Sequence, residues 1–132
     1  MLVRIMVLKI FTGCDCLNSN VIFHIDEFQK WNLLLNNVKN LLLSYGDSLS
    51  SISVEVLANS EAVKGYIYSS NLIDKCLLKV LAQKGVTFAA CNNALLGMNI
   101  SKQQIFPFVK VVPVGVRELI DKQQEGYAYI KP

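Results

Sequence analysis

The sequence predicts a three-layer α/β/α single domain built on a mostly parallel sheet of about five strands. Three observations point there. Short, almost uniformly apolar runs such as VIFHI at 21–25 and VTFAA at 86–90 read as strands buried on both faces, the habit of parallel sheets. Between the runs lie segments with apolar residues at three-and-four spacing, so strands and helices alternate as βαβ units do. The chain is 132 residues long, 52% hydrophobic and 17% charged, which gives one domain enough apolar surface for a core without disulfide or metal staples.

Taken in order, residues 1–19 form an N-terminal extension ahead of a domain spanning 20–132. The extension opens on MLVRIMVLKIF, with Val3, Ile5, Val7 and Lys9 on one side of a pleat. It is expected either as an extra edge strand or as a stretch ahead of a start lying further in. Arg4 and Lys9 interrupt the apolar run, and no stretch reaches the roughly 18 apolar residues of a spanning helix. Phe11-Thr12-Gly13-Cys14 has the outline of a lipoprotein cleavage site, but Lys9 stands where a signal peptide should be hydrophobic, so a cytoplasmic protein is expected.

The first strand is placed at Val21–Ile25. A long amphipathic helix follows over Glu27–Tyr45, with Phe28, Trp31, Leu34, Leu35, Val38, Leu41 and Leu42 inward and Gly46 ending it. The second strand is Ile52–Ala58. The next helix is placed at Ser69–Gln83, with Leu72, Ile73, Cys76, Leu77, Val80 and Leu81 on its inner stripe and Gly85 past its end. Val86–Ala90 is the third strand, followed by a polar Asn-rich turn. Ser101-Lys102-Gln103-Gln104 has the S-x-x-Q form of a capping box for a short helix stopped by Pro107. Val109–Val112 is the fourth strand. Val116–Gln124 is the last helix, with Val116, Leu119 and Ile120 inward, and Tyr127–Ile130 closes the chain as a fifth strand.

Charge excludes several functions. Thirteen Lys and Arg against ten Asp and Glu leave +3, scattered singly, so neither nucleic acid nor a membrane surface is an expected partner. No strand-to-helix turn carries G-x-G-x-x-G, and no P-loop occurs, so nucleotide and flavin cofactors lack their phosphate cradle and no cofactor is expected. Cys14-Asp15-Cys16 is not a matched zinc pair, and with one histidine in the chain a closed zinc site is not expected either.

Ligands of open parallel sheets bind beyond the carboxyl ends of the strands. Those ends supply His24, Asp26 and Glu27; Asn59, Ser60 and Glu61; Cys91, Asn92 and Asn93; and Pro113 with Gly115. Cys91 is the sharpest of them. It directly follows the third strand and precedes Asn92-Asn93, a pair suited to a turn or helix cap, and a thiol at a helix N-terminus meets free N–H groups and the positive end of the dipole, both favouring thiolate. The plainer alternative is a small apolar residue closing the strand. His24 could shuttle protons or tune the acidity of a thiol, or be a hydrogen-bonded histidine with no chemistry. Asp26 and Glu27 are explained by the preference of acids for a helix's first turn, and Cys76 by packing in the core.

The segments VIFHIDEFQKWNLLLNNVKNLL, GVTFAACNNALLGMNI and VPVGVRELIDKQQEGYAYIKP resemble the DsrE-like family, which contains the DsrE, DsrF and TusD sulfur-relay proteins, and are most similar to its small single-domain members. The likeness runs from Asn20 to Pro132. It implies a three-layer, flavodoxin-like fold and a homo-oligomer, trimer or hexamer. It also implies a cysteine near the third strand that accepts sulfur as a persulfide from a donor protein and passes it to an acceptor protein, and Cys91 is the matching position. Relay members often follow that cysteine with Arg-Gly. Here the stretch reads Leu96-Gly97-Met98, which leaves helix N–H groups and Asn92 to hold the anionic sulfur. Asn59, Asn92 and Asn93 are then the expected pocket residues and His24 the proton shuttle. The alternative is a non-catalytic binding or assembly module of the same fold with a structural cysteine.

Overall fold

A computed structural model of the chain describes residues 18–71 and 73–132. The expected N-terminal edge strand, Cys14, Cys16 and Leu72 lie outside the described residues. Five strands form one sheet: β1 (Ser19–Ile25), β2 (Ile52–Ala58), β3 (Thr87–Cys91), β4 (Lys110–Val112) and β5 (Ala128–Ile130). Their order is β4-β3-β2-β1-β5, and every neighbouring pair is parallel. β3, β2 and β1 are therefore the interior strands, which accounts for their largely apolar sequences. The last three-residue strand, β5, lies beside the first, with Val21 opposite Ala128 and Phe23 opposite Ile130.

The helices are α1 (Trp31–Tyr45), α2 (Lys75–Gln83), α3 (Asn92–Gly97) and α4 (Gly115–Gln124). The main core lies on one face, where Phe23, Ile25, Val56 and Phe88 of the sheet meet Trp31, Leu34, Leu35 and Val38 of α1 and Leu78 and Leu81 of α2. The opposite face is smaller: Ile22, Leu57, Ala89 and Val112 pack on Leu119 of α4, with Tyr127 alongside. Three layers are present as expected, but among the described residues one of the outer layers is a single helix.

Several expectations about individual helices are corrected. A 3-10 turn at Phe28–Lys30 precedes α1, because the Phe28 N–H is taken by the Glu61 carboxylate at 3.3 Å and Lys30 closes onto Glu27. The helix placed at Ser69–Gln83 starts only at Lys75, where Asp74 caps it by accepting the Leu77 N–H at 3.0 Å. From that start the inward stripe runs through Leu78 and Leu81. Cys76 and Val80, one turn apart, are both exposed rather than core.

The polar turn after β3 is in fact α3. It ends in a Schellman motif, with Asn99 left-handed at φ +57° and the Ile100 N–H returned to Leu95 O. The predicted capping box is present at a 3-10 turn, Lys102–Gln104, where the Gln104 side chain accepts from the Ser101 N–H at 2.8 Å. Finally, α4 begins one residue early, at Gly115. Gly115 and Leu119 are its buried residues, while Val116 and Ile120 are 57% and 47% exposed. On this narrow face α4 turns one stripe inward, and its second apolar stripe is left outside.

Candidate functional site

β3 ends on Cys91, which is also the N-cap residue of α3. Its side chain does not cap α3, however. The thiol sulfur instead accepts the backbone N–H of Gly115, the first residue of α4, at 3.3 Å. The helix end that meets the sulfur is therefore the ten-residue helix arriving from β4, not the short one following the cysteine. Cys91 is 7% exposed, and a side chain on Gly115 would stand 3.1 Å from Cys91 Cβ, 3.2 Å from Leu57 Cδ1 and 3.5 Å from Asn59 Cβ. Glycine is what lets the helix terminus close on the thiol.

The same close approach of Gly115 places Asn59 beside Cys91. The β2–β3 register pairs Ala58 with Ala90, and one further step sets Asn59 level with Cys91 on the face covered by α4. Ser60, next in the chain, is left-handed at φ +51°, a costly conformation for a residue with a Cβ, and it turns the chain away sharply after the asparagine.

His24 lies on the same face, its backbone opposite Leu57. Both ring nitrogens have partners: Nε2 meets Asn59 Oδ1 at 3.0 Å, and Nδ1 meets the Tyr129 hydroxyl at 2.6 Å. Asn59 thus stands between the histidine and the cysteine. Beyond it, Lys131 pairs with Asp26 at 3.0 Å, and that contact holds the Asp26 carboxyl below the usual carboxylate range. Glu27 is exposed, and Glu61 is engaged with Phe28. At the start of α3, Asn92 is half-buried and Asn93 exposed. The residues gathered along the carboxyl edge are therefore Tyr129, His24, Asn59, Cys91 and Gly115. Tyr129 had no place among the sequence candidates.

Deeper on the same face is a second polar cluster. Glu55, 4% exposed on β2, has Lys122 at 3.8 Å, and Lys110 bonds Glu118 at 3.4 Å. Burial, and then the neighbouring Glu118 carboxylate, push Glu55 up to about 8, while the same contact holds Glu118 down. Among the described residues no group of three or more His, Cys, Asp or Glu side chains is placed to hold a metal ion, and no helix is long and apolar enough to cross a membrane.

The fold and the site together define a small, all-parallel α/β domain whose carboxyl edge presents one buried thiol to a helix N-terminus. The chain belongs to the DsrE/DsrF-like family, whose model matches residues 45–132. Among solved structures it is similar to MTH1491 from Methanobacterium thermoautotrophicum, a protein of unknown function. That match has 34% identity and a TM-score of 0.76, and covers 86% of this chain and 99% of that one. Two further structures share the fold. The ychN protein from E. coli is 16% identical with a TM-score of 0.66 over 87% of this chain and 99% of that one. BT1422 from Bacteroides thetaiotaomicron, of unknown function, is 13% identical with a TM-score of 0.67 over 91% and 100%. Among curated proteins none matches this chain.

Proposed function

We propose that this protein is a sulfur-relay protein of the cytoplasm that carries sulfur as a persulfide on Cys91. The observation that carries the reading is the Gly115 N–H aimed at Cys91 Sγ from the first residue of α4. A backbone donor at the positive end of a helix favours negative charge on the sulfur it meets. Membership of a sulfur-relay-type family supports the same reading.

In the reaction, the Cys91 thiolate attacks the outer sulfur of a donor persulfide. The donor's S–S bond breaks, its own sulfur leaves with the electron pair, and Cys91 holds the terminal sulfur until an acceptor thiolate attacks it in turn. No oxidant or reductant is consumed. Asn59, Asn92 and Asn93 line the edge where the outer sulfur stands, and His24 serves proton movement there. Donor and acceptor are proteins. The working form is a homo-oligomer, a trimer or hexamer, for which the exposed apolar Val116 and Ile120 of α4 give a contact surface.

Incubation with a persulfide donor followed by intact-mass measurement tests the reading. One added sulfur is expected on the wild type and none at this position in Cys91→Ser. Absence of the adduct, or equal yield in the variant, defeats it. The competing reading, an assembly module with a structural Cys91, draws on the thiol's burial. It predicts that exposed Cys76 alkylates readily at neutral pH while Cys91 stays inert.

A further inference from the structure

We infer that Tyr129, acting through His24, is a positioning residue that fixes the orientation of the Asn59 carboxamide beside Cys91. This deepens the persulfide reading and rests on it. Asn59 Oδ1 can only accept, so His24 Nε2, 3.0 Å away, must carry a hydrogen and donate it. In the neutral ring Nδ1 is then the acceptor, and the donor it faces at 2.6 Å is the Tyr129 hydroxyl. A phenol hydroxyl can accept as well as donate but is much the better donor, so Tyr129 favours the tautomer with Nδ1 bare, that tautomer favours the amide oxygen facing histidine, and the amide's NH2 group is left for the other side.

That other side is the cysteine. His24 comes from β1 and Cys91 from β3, on opposite flanks of β2, and Asn59 stands at the end of β2 between them. Asn59 Cβ and Cys91 Cβ both lie within 3.5 Å of the point that a Gly115 side chain would occupy. The resting thiol already has its donor in Gly115. A second sulfur extends about 2 Å beyond the first, and in the proposed arrangement it is the Asn59 NH2 that receives it. The two sulfurs of a persulfide then have separate donors: a backbone N–H for the inner and a side-chain amide for the outer, where the charge resides.

The terminal strand β5 is what completes this arrangement. Its three-residue pairing with β1 sets Tyr129 opposite Ile22, two residues before His24 on the same face, and the Lys131–Asp26 pair anchors the chain just beyond. Tyr129 is 41% exposed. Its hydroxyl can therefore be removed with the ring and the core left in place.

The test is Tyr129→Phe, read in two ways. Nitrogen NMR of the His24 ring is expected to show one tautomer in the wild type, hydrogen on Nε2, and a mixture of both in the variant. An unchanged tautomer in Tyr129→Phe overturns the inference whether or not the protein carries sulfur. With sodium tetrasulfide as sulfur source, the Cys91 persulfide is expected to decay about threefold to tenfold faster in Tyr129→Phe than in the wild type. In an Asn59→Ala background the same tyrosine change is expected to have no further effect. Multiplying effects in the double variant would show that Tyr129 does not work through Asn59. Absence of any persulfide on the wild type would defeat the relay reading alone, leaving the ring tautomer to decide on Tyr129.

Discussion

Gly115 and Cys91, 24 positions apart in sequence, meet with the glycine N–H 3.3 Å from the thiol sulfur and no space for a side chain between them. The contact joins β3 to the helix that follows β4, so the thiol's environment depends on how α4 docks. Gly115→Ala tests this directly. The new methyl would press on Cys91 Cβ at 3.1 Å and on fully buried Leu57, neither of which can swing aside. Alanine favours a helix by up to about 1 kcal/mol over glycine, but overpacking of a filled site costs about 1–3 kcal/mol. The overlap wins. We expect a net loss of about 1 kcal/mol in urea unfolding and a changed Cys91 alkylation rate. Unchanged stability and rate together would show that the helix end is not seated on the thiol.

Glu55 makes stability depend on pH. Its carboxyl stands at about 8 rather than 4.5, chiefly through burial and secondly through Glu118. Because the folded-state value is raised, its favourable contribution is complete below the unfolded value near 4.5, declines as pH rises, and is gone above about 8. Glu118, held down, has the opposite sign, and its contribution is lost only as pH falls through its folded value on the acid side. Between pH 5 and 9 Glu55 therefore decides the slope. Glu55→Gln, which keeps the shape and removes the ionisation, is expected to flatten that slope and to gain about 1–2 kcal/mol over the wild type at pH 9. Parallel curves for the two proteins in denaturant titrations would contradict it.

Gly65 lies against Trp31. A side chain there would overlap Trp31 Nε1, which donates to Ala62 O at 2.8 Å within the 3-10 turn at Ser60–Tyr66. Trp31 is 1% exposed and meets Tyr66 edge-on at 5.1 Å, so it has nowhere to retreat. Gly65→Ala is expected to cost about 3 kcal/mol by displacing the indole and breaking its hydrogen bond. The check is the urea midpoint together with Trp31 fluorescence, which should shift red as the ring meets water. A native midpoint and emission would refute the close approach.

What the sequence could and could not reveal follows from what sets each feature. β2 was legible to the residue, and Gly85 and Gly126 were legible as helix ends, because these depend on local period and on φ values of +103° and +98° that suit glycine. Cys91 was legible as a strand-end thiol. Its partner was not, since which helix reaches it depends on strand order, and pairing β5 with β1 is a contact between the two ends of the described chain. Tyr129 escaped for that reason: nothing local marks a tyrosine in a short terminal strand as the neighbour of His24. Cys76 and Val80 were misplaced because a single cap, Asp74, sets where α2 starts and hence which of two apolar stripes turns inward.

The outer stripe of α4 supplies the last prediction. Val116 and Ile120, one turn apart, are 57% and 47% exposed although the sequence marks them as apolar-face residues, and Val114 just ahead of the helix is 44% exposed. On a monomer their replacement by Asp would change stability by no more than about 0.5 kcal/mol, because nothing packs on them. In a homo-oligomer that buries them, each side chain contributes about 1.5–3 kcal/mol at the contact, and a buried unpaired carboxylate adds a further penalty. Val116→Asp combined with Ile120→Asp is therefore expected to leave the circular dichroism spectrum and the urea midpoint of the dissociated protein unchanged, while sedimentation equilibrium moves from the assembled mass to that of one chain. A wild type that sediments as a monomer, or a variant that stays assembled, would show that this stripe is not the contact between copies.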